Sequence, residues 1–444
     1  MSSQELNQLT PIAENILSMA KKGKADACAV RIGKTVSRKV VHRDGQWEEI
    51  QGSTTMGASV RLFVDGRYAV HRTSDLRADS LSAFLTEAIG LTRQVMPDEH
   101  RKLPDPKLYA PKNPPDLDLA DPAVANLTLE KRKQAALTAY TACRKKAGEK
   151  CISAAATFGD SRSLGCIAHS DGFFSSDEDT SCSVSVVASV MDPDGGRPSD
   201  WDYGAACFLS DLTDPEKVGL SAGERALKAI GAKKIPTGNF ELLVENRACG
   251  QLLSGLINPL FGSAIFNKQS WAADLAGTPI AAGLFSLTDD PGLIRGLGSR
   301  IYDGEGIGAR KMSVFDGGIL RNFYIDTYYG SRLGRQVSTG SPSNLVVSPG
   351  TASFDALVSR VKRGLWINRF IGGNVNGTTG DFSLGLGGFL IENGQVAHPV
   401  IELNLSANHR TFWQNLVAAG SDVQLTSSTR TPSLLFSPIL VAGK

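Results

Sequence analysis

The sequence predicts an α+β protein with two domains. Residues 1–235 are predicted to form an N-terminal domain of antiparallel strands and helices, and residues 236–444 a β-rich, barrel-like C-terminal domain. Two observations support this division. Before Pro236, period-two apolar runs joined by Asp-Gly turns alternate with helical segments. After Pro236, glycine becomes frequent, apolar runs are short, and Asp-Gly or Asn-Gly turns recur, as is typical of a strongly twisted or closed sheet.

The first hundred residues predict the order helix, antiparallel strands, helix. A helix is expected near Glu5 to Lys22, and a second helix from about Asp75. Between them, Asp44-Gly45 and Asp65-Gly66 are hairpin signals, because both residues of such a turn adopt positive φ angles. The predicted strands are ACAVRIG, SRKVVH, WEEIQG, MGASVRLFV and RYAVHR.

A long extended connection follows, because residues 97–122 hold seven of the twenty prolines. The same order of elements then returns: a helix at about 123–147, four strands (CISAAATF, SLGCIAHS, SCSVSVVASVM and YGAACFL), and a helix at 214–230. Ser-Asp-Leu precedes the closing helix in both halves, and its Asp75 or Asp211 is predicted to cap that helix. We interpret this as a possible internal duplication; the alternative is that Ser-Asp-Leu is simply a common cap.

Charge and composition limit the classes of function. The 47 Lys and Arg residues nearly cancel the 45 Asp and Glu residues, so the basic surface of a nucleic-acid-binding protein is missing. The amino terminus does not resemble a secretory signal, and no apolar run is long enough for a membrane span. Seven cysteines without a C-x-x-C pair indicate reduced thiols. We therefore expect a cytoplasmic protein that contacts neither nucleic acid nor membrane.

No local motif predicts a catalytic centre. The six histidines are at least eleven residues apart, so no two can bind one zinc ion from a single helical turn. A zinc site assembled from distant parts of the chain remains an alternative. GLSAG at 219–223 lies in an amphipathic helical pattern instead of a nucleophile elbow, and Cys249 has no neighbouring histidine. The strand FELLVE and the small-residue helix after it are predicted to pack, not to catalyse.

Three segments of the C-terminal half carry a family resemblance. FDGGILRNFYIDTYYGSRLG (315–334), the segment from GNVNGTTGDFSLGLGG to NLVAAGSDV (373–423) and the ending PSLLFSPILVAG resemble the TldD/TldE family, also called PmbA or modulator of DNA gyrase. In that family TldD carries a His-Glu-x-x-x-His zinc motif on the helix after a strand like FELLVE, and a further cysteine ligand near its carboxyl terminus. TldE carries neither. This chain has GLINPL (255–260) at or beside that place and no cysteine after Cys249, so it resembles TldE.

The resemblance implies a function. TldE pairs with TldD in a cytosolic metallopeptidase that processes or degrades unfolded peptides, including precursors of antibacterial peptides. It implies no catalytic, cofactor or metal-binding residue in this chain, zinc in the TldD-like partner, an inactive protein when alone, and a homodimer as a possible isolated state. Candidate interface or peptide-chamber residues are Tyr328, Arg332, Thr379, Asp381 and Ser383. The alternatives are a stand-alone enzyme with a dispersed site and a peptide-binding or scaffold protein without peptidase activity.

Overall fold

The computed structural model describes residues 4–444, so the first three residues of the segment tested for a secretory signal lie outside it. The helices are α1 (Gln4–Lys22), α2 (Ala78–Thr92), α3 (Pro122–Ala125), α4 (Leu129–Ala147), α5 (Pro215–Lys228), α6 (Asn246–Ile257), α7 (Gly262–Phe266), α8 (Thr327–Leu333), α9 (Phe354–Arg360) and α10 (His409–Phe412). The strands are β1 (Ala27–Arg43), β2 (Gln46–Val64), β3 (Arg67–Thr73), β4 (Cys151–His169), β5 (Phe174–Val190), β6 (Ser199–Ala206), β7 (Gly238–Val244), β8 (Leu287–Asp289), β9 (Met312–Asp316), β10 (Ile319–Leu320), β11 (Leu345–Val347), β12 (Arg363–Val375), β13 (Asp381–Glu392), β14 (Gln395–Asn408), β15 (Leu416–Ala419), β16 (Thr429–Arg430) and β17 (Leu434–Ala442).

Six long antiparallel strands form the N-terminal sheet, in the order β3-β2-β1-β4-β5-β6. Asp44-Gly45 and Asp65-Gly66 join the first three strands, and all four residues have positive φ angles, between 47° and 87°. The α+β fold class and both hairpin turns are therefore confirmed. The prediction of several short strands was wrong: ACAVRIG and SRKVVH form one strand, as do CISAAATF and SLGCIAHS, because β1 and β4 pair along their central length with neighbours on both sides.

All four long helices of this domain cover one face of the sheet. The core of α1 and α2 contains alternate residues of β1, β2 and β4, and the core of α4 and α5 contains alternate residues of β4 and β5. The order helix, three strands, helix occurs twice, and the two sets of strands meet at the β1–β4 pair. This arrangement agrees with the interpretation of an internal duplication.

The predicted Ser-Asp-Leu caps were wrong. Asp75 pairs with the guanidinium of Arg77, and α2 begins after Arg77 without a side-chain cap. Asp211 ends a short 3-10 turn, and α5 is capped by Asp214, whose carboxylate accepts a hydrogen bond of 2.9 Å from the Glu216 amide. The physical reason for this start of α5 is Pro215, because its fixed φ angle and missing N–H suit the first helical position.

The C-terminal domain contains the predicted barrel. Strands β14, β13, β12, β7 and β17 are hydrogen-bonded in that order, and a pairing of β14 with β17 closes the ring. β15 extends the sheet from β17, and a second sheet has the order β10-β9-β8-β11-β16. Leu242 of β7 and Leu365 of β12 share one large apolar core with α6, while Leu243 faces a smaller core beneath α9.

The proline-rich connection, residues 97–121, ties the two domains together. It contains no α-helix or strand, and it bonds to the C-terminal domain through a bridge between Tyr109 and Ile307 and a hydrogen bond of 2.8 Å from the Gly308 amide to the Leu108 carbonyl. Within residues 4–444, no helix is long and apolar enough to cross a bilayer.

Candidate functional site

The helix α6 follows directly from a central strand of the barrel. β7 pairs with β12 on one side and β17 on the other, and four of its residues are buried and apolar: Phe240, Leu242, Leu243 and Val244. At the start of the helix, the Asn246 amide donates a hydrogen bond of 3.0 Å to Ser433 Oγ. At its end, Pro259 cannot donate within a helix, and the chain leaves α6 through a 3-10 turn at residues 258–260.

Glu245 and Cys249, near the start of α6, have structural roles. The Glu245 carboxylate accepts bonds of 2.7 and 3.1 Å from the Arg225 guanidinium and one of 3.1 Å from Trp366 Nε1. The Cys249 thiol is fully buried and lies 3.5 Å from the carbonyl oxygens of Val244 and Pro432. Burial raises the pKa of this thiol well above its ordinary value, so it is not a reactive thiolate.

The end of α6 faces a buried histidine. His409 is 1% exposed, and its Nδ1 accepts a hydrogen bond of 3.1 Å from Trp413 Nε1. A Cβ atom at Gly255 would overlap the His409 Nε2 atom. The imidazole therefore fills the space that a longer side chain at position 255 would need.

A zinc ion does not fit this donor set. A protein zinc site uses three or four nitrogen, sulfur or carboxylate ligands. His409 is a single imidazole, and burial lowers its pKa to about 4, so it is neutral at pH 7. Across residues 4–444, no group of three or more His, Cys, Asp and Glu residues could hold a metal ion. The described side chains around α6 take part in packing and in hydrogen bonds within the fold.

A groove of about 650 Å³ lies beside the end of α6. Asn258, Pro259 and Gln269 form one wall, and residues 374–378 of the β12–β13 hairpin form the other. The Trp271 amide donates a hydrogen bond of 2.8 Å to the Gly377 carbonyl, which fixes the hairpin against α6 and α7. The lining is made of amides and apolar atoms, which suits contact with a peptide or a protein surface more than acid–base chemistry.

Three of the five candidate residues lie together on the hairpin that forms this groove. The Asp381 carboxylate accepts hydrogen bonds of 2.7 Å from Thr379 Oγ1 and from Asn408 Nδ2, and these two bonds lower its pKa. Ser383 Oγ donates a bond of 2.9 Å to Asn404 Oδ1. Thr379 and Asp381 are exposed, but each already has a partner within the protein.

The other two candidates, Tyr328 and Arg332, lie on α8. The Arg101 guanidinium stacks over the Tyr328 ring at 3.3 Å from its centroid, and the Arg332 guanidinium lies 4.6 Å from the centroid of Phe266. α8 packs against α7, where a Cβ at Gly262 would overlap Tyr329. Among the contacts of the described residues, none joins Tyr328 or Arg332 to Thr379, Asp381 or Ser383, so the five candidates form two groups.

Sequence reasoning missed the contact between Gly255 and His409. These positions are 154 residues apart, and nothing in the pattern around either one indicates the other. The spacing of the histidines does not distinguish His409 from the other five, and it lies in the core. A helical glycine followed by a proline four residues later signals close packing, but it does not say which residue packs there.

Comparison with known proteins gives the family. Models of three PmbA/TldA metallopeptidase domains match successive parts of the chain: domain 1 at residues 28–91, the central domain at 122–230 and the C-terminal domain at 237–443. The chain belongs to the TldD/TldE family, which includes the PmbA proteins. The resemblance that the sequence predicted is therefore confirmed.

Relatives of the TldD/TldE family align over nearly the whole chain. Metalloprotease PmbA of Escherichia coli is 26% identical, covering 95% of this chain and 93% of that protein. The metalloprotease PmbA homolog of Haemophilus influenzae is also 26% identical, covering 99% of this chain and 96% of that protein.

Solved structures of this family agree in fold. A candidate modulator of DNA gyrase from Bacteroides thetaiotaomicron has a TM-score of 0.96, 33% identity and full coverage of both chains. TldE from Thermococcus kodakarensis, at 19% identity, has a TM-score of 0.88 and covers 97% of this chain and 100% of that chain. At that identity the likeness to TldE concerns the fold alone.

Proposed function

We propose that the chain is the non-catalytic, TldE/PmbA-like subunit of a TldD/TldE-type metallopeptidase complex that processes or degrades unfolded peptides. The single observation that carries the proposal is the packing of Gly255 against His409. At the place where a catalytic member of the family is expected to hold zinc, this chain has a glycine, a proline and a neutral, buried imidazole.

The relatives support a division of labour between two kinds of chain. A zinc metalloprotease TldD homolog from Saccharolobus solfataricus is 23% identical over 45% of this chain, so the family includes TldD-like proteins as well as TldE-like ones. In this proposal the TldD-like partner holds the zinc ion, and the present chain forms part of the wall of the peptide chamber. Proteolysis and peptide maturation are then properties of the pair, in the cytoplasm, without nucleic acid or membrane. The isolated chain is proposed to form a homodimer through the surface that would otherwise contact the TldD-like partner.

The groove beside α6 is the proposed contact with the partner. Ile371 and Val375 of β12 are 54% and 43% exposed, although both are apolar, and Val375 lines the groove. Thr379, Asp381 and Ser383 lie on the same hairpin, and Tyr328 and Arg332 on the nearby α8 would extend the contact or the chamber lining. Apolar groups that remain exposed beside a polar rim are typical of protein interfaces.

The test is co-expression with a TldD-like protein from the same organism. We expect no stoichiometric zinc and no cleavage of unfolded casein from this chain alone, and zinc-dependent cleavage from the pair. Metal content by mass spectrometry and peptidase assays on each chain and on the pair give the readouts. One tightly bound ion and cleavage by the chain alone would instead identify a stand-alone enzyme.

A matched pair of variants sharpens the test. Val375→Glu places a charge in the groove, and Val396→Glu places the same charge on a valine that is equally exposed, at 43%, but pairs with Ile391 at the other end of the β13–β14 hairpin. We expect only Val375→Glu to weaken formation of the pair. The peptidase activity of the pair should fall with this variant and not with Val396→Glu. If the chain captures peptides but no TldD-like protein ever joins it, a peptide-binding or scaffold role replaces the subunit role.

A further inference from the structure

A second, larger cavity lies between the two domains, and no residue of α6 lines it. It has a volume of about 910 Å³. Its walls are the first half of β5, residues 116–120 of the proline-rich connection, and residues 296–304 of the C-terminal domain. The cavity is continuous with solvent along β5, and we call it the β5 cleft.

One wall of the β5 cleft is an open strand edge. β6 pairs with β5 only from Cys182 onward, so the preceding residues have β4 on one side and no strand on the other. The Thr180 amide points away from β4, because it donates a hydrogen bond of 2.9 Å to the Leu119 carbonyl. Backbone groups in an antiparallel pair alternate in direction, so those of Ser176 and Glu178 also point away from β4 and into the cleft.

Acidic side chains outnumber basic side chains in the lining of the β5 cleft. Six carboxylates and two guanidinium groups line it; they belong to Asp116, Asp118, Asp177, Glu178, Asp179, Asp303, Arg31 and Arg300. Five of the six acids already have a partner. Asp118 pairs with Arg295 at 2.6 Å and Glu178 with Arg162 at 2.8 Å. Asp116 accepts the Asp118 amide, Asp303 accepts the amides of Glu305 and Ile307, and Asp177 accepts the Tyr302 hydroxyl.

Asp177 and Asp179 lie on the face of β5 opposite the helices. Asp177 accepts a hydrogen bond from the Tyr302 hydroxyl. Among the described residues, no hydrogen bond or ion pair involves the Asp179 carboxylate, although it is half-buried. Burial and the Asp177 carboxylate disfavour the charged form of Asp179 more than the Arg31 guanidinium favours it, so a further cation would stabilise this carboxylate.

We propose that the edge of β5 at residues 176–178 binds an extended peptide as an added strand, and that Asp177 and Asp179 favour peptides with Lys or Arg at alternate positions. Backbone hydrogen bonds to Ser176 and Glu178 hold the peptide without reading its sequence. Cross-strand neighbours on one face then bring a basic side chain opposite Asp177 or Asp179. This inference rests on the proposed function only for the identity of the ligand as an unfolded peptide, and it adds the location and the charge preference.

Direct binding to the isolated full-length chain tests the proposal. The probes are two fluorescein-labelled nonapeptides, one of alternating Lys and Thr and one of alternating Glu and Thr, and the readout is fluorescence anisotropy. We expect the Lys peptide to bind at least about 10-fold more tightly than the Glu peptide at low salt, with the difference shrinking as salt rises. Equal binding of the two peptides, or no binding of the Lys peptide, would overturn the proposal.

Two variants locate the site. Ser176→Pro removes an amide that faces the cleft instead of β4, so no bond of the β4–β5 ladder is lost, and we expect binding of the Lys peptide to fall by about 10-fold or more. Ser176→Ala keeps the amide and should bind like the parent.

Asp179→Asn should weaken binding of the Lys peptide about 3- to 10-fold. Glu99→Gln, which changes a 92% exposed acid outside the cleft, should not weaken it. Parent-like binding by Ser176→Pro or Asp179→Asn contradicts the site.

The outcome separates this proposal from the proposed function. A pair that cleaves peptides while the isolated chain binds none contradicts the β5 cleft alone. Binding with the expected charge preference, together with inactivity beside every TldD-like partner, contradicts the subunit role and supports the cleft.

Discussion

The end of α6 and the β5 cleft differ in how their polar groups are bonded. Around α6, the Glu245 carboxylate and the His409 Nδ1 each have a partner inside the protein, and Gly255 leaves no free space. In the β5 cleft, the Asp179 carboxylate has no partner among the described residues, and the amides of Ser176 and Glu178 face an open cavity. The polar groups around α6 are therefore used within the fold, whereas the β5 cleft keeps backbone amides and a carboxylate that the fold does not use.

The largest expected effect concerns the ion pair at the start of α6. Arg225→Met should lower the free energy of unfolding by about 3–5 kcal/mol, because it leaves the buried Glu245 carboxylate without its cation and leaves Asp200 with Arg369 as its one cation among the described residues. Thermal melting followed by circular dichroism provides the measurement. The matched control is Lys228→Met on the same helix, whose exposed pair with Glu224 should contribute no more than about 0.5 kcal/mol. Equal effects of the two variants would mean that α6 is not held by internal pairing.

A smaller loss is expected from crowding at the other end of α6. Gly255→Ala should lower stability by about 1–3 kcal/mol, because its new methyl group overlaps the His409 imidazole. Gly250→Ala, in the same helix, places its methyl group no closer than 4.0 Å from Thr429 and should raise stability by about 0.5–1 kcal/mol. Urea titration of both variants measures the difference. A stabilised Gly255→Ala variant would show that His409 does not fill this space.

A substitution in the β5 cleft should have the opposite effect. Asp179→Asn should raise the free energy of unfolding by about 1–2 kcal/mol above pH 6. Burial, with the neighbouring Asp177 carboxylate, raises the pKa of Asp179 from 3.8 to about 6 in the folded protein. The folded state therefore binds this proton more tightly than the unfolded state, and the stability that depends on it is present below about pH 4 and lost as the pH rises to about 6.

The pH dependence checks this assignment. Melting temperatures of the parent and of Asp179→Asn should converge near pH 4 and separate as the pH rises to 6, with little change above it. Glu99→Gln should follow the parent throughout. A constant difference between the parent and Asp179→Asn at every pH would show that the charge of Asp179 is not the cause.

The sequence predicted the helices and strands of both regions better than the contacts between their side chains. Asp44-Gly45 and Asp65-Gly66 predicted two hairpins because their turn geometry depends on two adjacent residues. The strand and helix around α6 could be predicted from local apolar patterns. The length of β1 and β4 could not, because pairing with distant strands carries them through polar stretches that would end an isolated strand.

The two sites depended on contacts that no local pattern contains. The overlap between Gly255 and His409, and the open edge at Ser176, both result from chain segments that meet only in the fold. The proposed absence of zinc could be reasoned from the sequence because a helical zinc motif has a fixed spacing. The β5 cleft could not be predicted from the sequence. Asp177 and Asp179 have the pattern of a solvent-exposed strand, and only the fold shows that the C-terminal domain covers them.

The closure of the barrel has a consequence for biosynthesis. Its first strand along the chain, β7, lies beside its last, β17, and β17 also completes the ring by pairing with β14. While the ribosome is still making residues 434–442, β7 and β14 lack their shared neighbour and part of the apolar interior is open to water. Nascent C-terminal domains are thus exposed to association until the final strand emerges, which makes this interval the one in which a chaperone would be of most use.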